Sequence, residues 1–159
     1  MKKETKTNVQ RILETAGIAH RVLHYECDSF VDGLATAHAL QLDTERVFKT
    51  LVATGKSGAH YVFIIPVEEE LDLKRAAAAA GEKTMEMLAL RELTPLTGYV
   101  RGGCTAVGMK KSCPVFMDEM AQLWDTIYVS AGRIGTQLEV APSDWLSLTG
   151  GAWARLTKE

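Results

Sequence analysis

With 159 residues, 47% of them apolar and 24% charged, the chain has the size and balance of one globular domain, read as a single unit over residues 1–159. No run approaches the roughly 18 uninterrupted apolar residues of a membrane span. The basic start Met1-Lys2-Lys3-Glu4-Thr5-Lys6 leads into no apolar stretch of an export signal, so the expected compartment is the cytoplasm. A net charge of −2 excludes a protein that wraps long nucleic acid through a global basic field, so no DNA partner is expected and any RNA contact must be local.

The first helix is the clearest local feature. Val9, Ile12, Leu13 and Ala16 fall at i, i+3, i+4 and i+7, and Gly17 supplies a stop. Residues 18–25 alternate as a strand, with Ile18, His20, Val22 and His24 on one face and Ala19, Arg21, Leu23 and Tyr25 on the other. A second helix starts near Asp32-Gly33 and runs through Ala39, and Asp43 offers an N-cap for a short helix through Arg46 and Val47. Two β-rich runs follow, 51–54 and 60–65, joined by a hairpin turn at Gly55-Lys56-Ser57-Gly58. Asp72 caps a helix over 73–80 that Gly81 ends. The second half reads as strands at 84–87, 98–101, 115–118, 126–129 and 137–140, then a helix from Ser143 to Gly150-Gly151. Helices and strands mix without strict alternation. The expected class is α+β, with a curled, barrel-like mixed sheet flanked by helices.

Much familiar chemistry is missing from the sequence. The cysteines Cys27, Cys104 and Cys113 are odd in number and form no C-x-x-C, so neither a disulfide framework nor a zinc knuckle is indicated. His20, His24, His38 and His60 form no H-E-x-x-H, and no metal or cofactor is expected. There is no G-x-S-x-G elbow. Gly55-Lys56-Ser57 mimics the end of a phosphate-binding loop, but Thr50 stands where that motif needs glycine.

Three segments keep a chemical reading. In Val47-Phe48-Lys49-Thr50-Leu51, a lysine sits where a helix hands over to a strand. Taken alone it reads more simply as a surface lysine with its stem on apolar neighbours. The chemical alternative is an ammonium fixed at a pocket to hold a phosphate, carboxylate or carbonyl oxygen. In Gly98-Tyr99-Val100-Arg101-Gly102-Gly103, paired glycines let the backbone approach a ligand, or simply make a tight turn. Tyr128-Val129-Ser130-Ala131-Gly132-Arg133-Ile134-Gly135 joins small residues to one arginine; it suits an anion, and turn chemistry explains it as well.

Taken with Leu71-Asp72-Leu73-Lys74 and Gly108-Met109-Lys110-Lys111, these segments in this order resemble the YbaK/EbsC family. That family is similar to the editing domain inserted in bacterial prolyl-tRNA synthetases. The resemblance implies trans hydrolysis of mischarged aminoacyl-tRNA, most of all Cys-tRNA(Pro), with prolyl-tRNA synthetase as a further partner. It places the key lysine at Lys49, the glycine backbone facing the aminoacyl group at Gly102 and Gly103, and the substrate-binding residues at Tyr25, Thr50, Ser130, Gly132 and Arg133. Where related members often carry Asp, this chain has Gln137.

An aminoacyl ester is already activated, and the resemblance implies no protein nucleophile. The sequence has no recognisable base–nucleophile pair. The expected mechanism is substrate-assisted: the substrate's thiol or terminal ribose hydroxyl moves the proton, and the protein supplies orientation. Lys110, Lys111 and Arg133 are candidates for contact with the tRNA 3′ end. Rival readings are a deacylase for alanyl-, seryl- or threonyl-tRNA, a non-catalytic module that docks on tRNA or a synthetase, and an enzyme with Cys104 or Cys113 as nucleophile.

Overall fold

The computed structural model describes residues 6–25 and 33–158. The first helix, α1 (Asn8–Ala16), starts from Thr7, whose Oγ1 accepts from the Gln10 N–H at 3.2 Å while the Gln10 side chain accepts from the Thr7 N–H at 2.8 Å. This reciprocal pair satisfies two otherwise orphaned amides and fixes the register of the amphipathic face. Val9 and Leu13 of that face are fully buried.

In chain order there follow β1 (His20–His24), α2 (Gly33–Ala39), a 3-10 turn at Thr44–Arg46, β2 (Phe48–Gly55) and β3 (His60–Pro66). Asp43 caps the 3-10 turn by accepting from the Glu45 N–H. Next come α3 (Leu73–Ala80), capped by Asp72 through the Lys74 and Arg75 amides, then β4 (Met85–Met87) and α4 (Leu90–Thr97). The chain closes with β5 (Val115–Asp118), a 3-10 helix at Glu119–Leu123, β6 (Ile127–Ser130), β7 (Thr136–Val140), α5 (Pro142–Thr149) and β8 (Ala152–Ala154). The α+β class holds. Asp32, at the expected start of α2, and Cys27 lie outside the described residues.

The strands form two sheets and not one curled barrel. A five-stranded sheet runs in the order β4-β2-β3-β5-β8, and a three-stranded antiparallel sheet in the order β1-β7-β6. Closure would require edge strands to pair round a ring. The described sheets are linked instead by one parallel bridge between Val47 and Tyr128. Among the described residues, strand β4 pairs only with the far end of β2, at Ala53, Thr54 and Gly55. The near end of β2 is therefore an open edge, and β6 comes beside it there.

The main core draws on both sheets. Phe48, Val52, Val62, Ile64, Val115 and Met117 from the larger and Ile127, Val129, Leu138 and Val140 from the smaller pack with Val9, Leu13 and Trp145 from the helices. On the other face of the larger sheet, Ala53, Phe63 and Ile65 pack on Ala76 and Ala77 of α3. Beside them a small cluster of Ala37, Val47, Val67 and Tyr128, with Leu23 and Leu42 against it, seats α2 over the seam between the sheets.

Residues 98–101 do not form the strand expected of them. Gly98 ends α4 in the left-handed region (φ 82°), its N–H donating to the Thr94 carbonyl, and the Tyr99 N–H donates to Thr97 Oγ1. The Tyr-Val pair that looked strand-like belongs to the turn leaving α4.

Candidate functional site

Strand parity decides which side chains meet. Directly opposed residues of an antiparallel pair share a face, and alternate residues of one strand share a face. Val47 bridges Tyr128 in parallel, so two residues further along each chain Lys49 and Ser130 lie on that same face, where β2 and β6 are in contact. Across β6 and β7, Ser130 opposes Gln137, and across β7 and β1, Gln137 opposes Leu23. Tyr25, two residues after Leu23, continues the face; its N–H donates to the Gly135 carbonyl at 2.9 Å. The Thr36 hydroxyl of α2 donates to the Tyr25 hydroxyl at 3.4 Å. Lys49, Ser130, Gln137, Leu23 and Tyr25 thus form a band across the seam, beside the cluster that seats α2.

Thr50 points the other way. It opposes Ile64, a residue of the main core, and its Oγ1 is buried with no hydrogen-bond partner among the described residues. It backs the lysine and does not share its face.

The two glycine loops meet backbone to backbone. A Cβ on Gly103 would lie 2.9 Å from the Arg133 Cα and 3.1 Å from its carbonyl carbon. Only glycine allows the loops to come this close. The Gly103 N–H donates to the Val100 carbonyl at 2.9 Å, so Gly103 supplies proximity and not a donor for a ligand. Gly132 is held in the left-handed region (φ 101°) with the Tyr99 ring and Val9 behind it; its N–H faces Ser130 Oγ at 3.4 Å. The Tyr99 hydroxyl donates to the Val107 carbonyl at 2.6 Å, and burial pushes its pKa up to about 12, which keeps it a neutral donor. Arg133 Nε donates to Thr136 Oγ1 at 2.9 Å, which turns its side chain back along β7.

Below the band lies a charged brace. The Glu139 carboxylate accepts from Arg21, Arg46 and the Thr126 hydroxyl, the last at 2.6 Å. Burial alone would raise its pKa; these three donors outweigh it and hold the carboxyl below its ordinary value. The Arg46 guanidinium also stacks 4.9 Å over the Tyr128 ring. Arg46 therefore clamps β6 and β7 to the start of β2, at the point that aligns Lys49 with Ser130.

Lys110 and Lys111 lie elsewhere. The Lys110 N–H donates to the Thr97 carbonyl, and its Cβ lies beside Gly98. Their loop borders a cavity of about 270 Å³ lined by Ile12, Val107, Met109, Cys113, Val115 and Leu148. Cys104 is buried, and burial pushes its thiol up to about 12, Thr97 pulling only weakly the other way. Cys113 is raised less, again by burial. Neither sits on the Lys49 band. Among the described residues no group of three or more His, Cys, Asp or Glu is placed to hold a metal.

Sequence reasoning did not single out Leu23, Tyr128, Arg46 or Glu139. In the sequence Gln137 stood out only as a departure from the Asp that related members often carry; its place on the band follows from its pairing with Ser130 and from Leu138 and Val140 taking the other face of β7.

A family model described as an aminoacyl-tRNA editing domain matches residues 31–148. The chain is 41% identical over 157 residues to a protein of Enterococcus faecalis named "Putative Cys-tRNA(Pro)/Cys-tRNA(Cys) deacylase EbsC", covering 98% of this chain and 96% of that one. Among solved structures it is similar to "a putative trans-editing enzyme for prolyl tRNA synthetase", with a TM-score of 0.83, 26% identity and 95% of both chains covered. The fold is also that of the hypothetical protein APE2540, at a TM-score of 0.86 and 23% identity over 94% of this chain and 99% of that one.

Proposed function

Because the chain belongs to the aminoacyl-tRNA editing domain family, we propose that it hydrolyses mischarged aminoacyl-tRNA in trans, with Cys-tRNA(Pro) as its substrate. The observation that carries this reading is the band of Lys49, Ser130, Gln137 and Tyr25, walled by two glycine loops in backbone contact. It offers one positive charge, several small polar groups and closely approaching backbone, which is what the end of an aminoacylated tRNA requires.

In the reaction the ester C–O bond breaks, water adds its oxygen to the carbonyl carbon, and a proton passes to the ribose oxygen. The products are the free amino acid and tRNA with a free terminal hydroxyl. Lys49 holds the terminal phosphate or the developing oxyanion, where a fixed charge outside bulk water counts most. Gly103 draws its loop against the Arg133 backbone, and Gly102 beside it lets the aminoacyl group approach the main chain. Tyr25, Ser130, Gly132 and Arg133 bound the pocket, and Thr50 supports Lys49 from the core side. The substrate's own thiol or ribose hydroxyl moves the proton, and the protein supplies orientation. The chain acts in the cytoplasm as one editing domain over residues 1–159, and prolyl-tRNA synthetase is its partner in supplying the mischarged product.

The test is deacylation by purified wild type and Lys49→Ala over a panel of cysteinyl-, alanyl-, seryl- and threonyl-tRNA. The expected result is hydrolysis of Cys-tRNA(Pro) by the wild type and its loss in a folded Lys49→Ala. Full activity in that variant overturns the role of Lys49. Preference for another aminoacyl group moves the substrate, and tRNA binding without any hydrolysis favours a docking module.

A further inference from the structure

Gln137 is 6% exposed, and its Oε1 is buried with no hydrogen-bond partner among the described residues. A buried carbonyl without a donor is destabilising and uncommon, and each case calls for a reason. The main core offers none, because Leu138 and Val140, which pack there, are on the opposite face of β7. Gln137 instead stands between Ser130 and Leu23 in the band that carries Lys49. Its strand is fixed on both sides by five-residue pairing with β1 and four-residue pairing with β6, so its amide is held in place.

We propose that Gln137 determines specificity at this site: its Oε1 accepts a hydrogen bond from the α-ammonium group of the bound aminoacyl ester. The inference rests on the deacylase reading and deepens it. Every aminoacyl ester carries that ammonium next to the scissile carbonyl, and a charged N–H is the donor that gains most from a desolvated carbonyl. A cysteine thiol is a much weaker donor. A neutral amide also leaves the positive charge in place, so the ammonium still activates the neighbouring ester. An N-acylated aminoacyl group offers only one neutral amide N–H, a weaker donor than the ammonium, so the buried oxygen gains less from it. Gln137 thus favours a free aminoacyl ester over an acylated one, whatever the side chain.

The experiment measures calorimetric affinity of the full chain for a stable amide analogue, 3′-cysteinylamino-3′-deoxyadenosine, and for its N-acetyl form. Wild type should prefer the free amine by roughly tenfold or more, the scale of one charge-assisted hydrogen bond. Gln137→Leu should lose most of that preference while binding the acetylated analogue within about twofold of wild type, as expected when only the acceptor is removed. Gln137→Glu keeps an acceptor and should retain the preference. If Gln137→Leu does not fold, the conservative Gln137→Met serves in its place. Preference that survives loss of the carbonyl overturns the inference, as does a wild type that binds both forms equally or binds neither. Deacylation is scored separately: a wild type that shows the preference but hydrolyses no aminoacyl-tRNA refutes the enzyme reading and leaves this one standing.

Discussion

The backbone of Arg133 occupies the place where Gly103 would carry a side chain, a Cβ there lying 2.9 Å from the Arg133 Cα. Both atoms around that contact belong to the main chain, so neither loop can yield by turning a rotamer. Gly103→Ala must push the loops apart or strain one of them, at about 1–3 kcal/mol for an overpacked site. The expected outcome is a modest fall in melting temperature and a far larger fall in kcat/KM, tenfold or more, because small misplacement is costly in a positioned reaction. An alanine variant with wild-type turnover would show that the loop contact has no part in positioning.

Lys49→Arg tests whether charge alone is enough. Arginine keeps the charge but replaces a compact ammonium by a planar fork, on a face already shared with Ser130 and Tyr128. Deacylation should fall at least tenfold while thermal stability changes by less than about 0.5 kcal/mol, the usual range where no buried feature is lost. Wild-type rates in the arginine variant would mean that the lysine acts only through long-range attraction.

Glu139 gives a pH dependence with a definite sign. Its folded-state pKa is below the ordinary 4.5, because Thr126, Arg21 and Arg46 together outweigh the effect of burial. The stabilisation is complete above the unfolded value and is lost as pH falls through the folded one. Denaturant unfolding of wild type and Glu139→Gln should therefore differ most near neutrality and converge as pH falls through the lowered folded-state value. Parallel pH profiles for the two proteins would remove the carboxylate from the brace.

The cysteines should be catalytically idle. With its thiol raised to about 12 and only 8% exposed, Cys104 has almost no thiolate at neutral pH. In a Cys27→Ser background, iodoacetamide near pH 8 should modify Cys113 before Cys104, as read by mass spectrometry. Cys104→Ser and Cys113→Ser should both retain deacylation. Abolished activity in either would revive the thiol as nucleophile.

Thr7→Ala removes the acceptor of the Gln10 N–H and breaks the reciprocal cap. A loss of about 0.5–2 kcal/mol is expected for such a cap, seen as a lower denaturation midpoint with unchanged slope. A slope change would point to fraying of α1 away from Val9 and Leu13.

How legible the fold was depended on whether the signal was local. The spacing of Val9, Ile12, Leu13 and Ala16 with Gly17 behind it is a local pattern, and α1 ends where it indicates. The Asp72 and Gly81 pair marked α3 in the same way, and the Gly55–Gly58 region marked the β2–β3 hairpin. Helix α4 was missed because Pro95 sits inside it and Ala89 gives no side-chain cap. Strand β8, Ala-Trp-Ala, has no β signature of its own and exists because β5 offers it a parallel partner. The barrel expectation failed for a related reason. Which strand edges stay open depends on where β4 stops along β2, and nothing local in the sequence encodes that. Lys49 and Ser130 were visible as motifs, but their adjacency depends on the Val47–Tyr128 bridge, which joins segments some eighty positions apart.

That single bridge also turns chain length into a chemical constraint. From Val47 to Lys49, and from Tyr128 to Ser130, the interval is two residues. Because strand parity has period two, one residue inserted into either interval would rotate the functional group into the main core and bring its neighbour to the surface. A one-codon insertion between Phe48 and Lys49 would leave every residue type of the band present and still empty it of its cation. Spacing is here as much a part of the site as identity, so an insertion or deletion in either interval disrupts the band even where every residue type is kept.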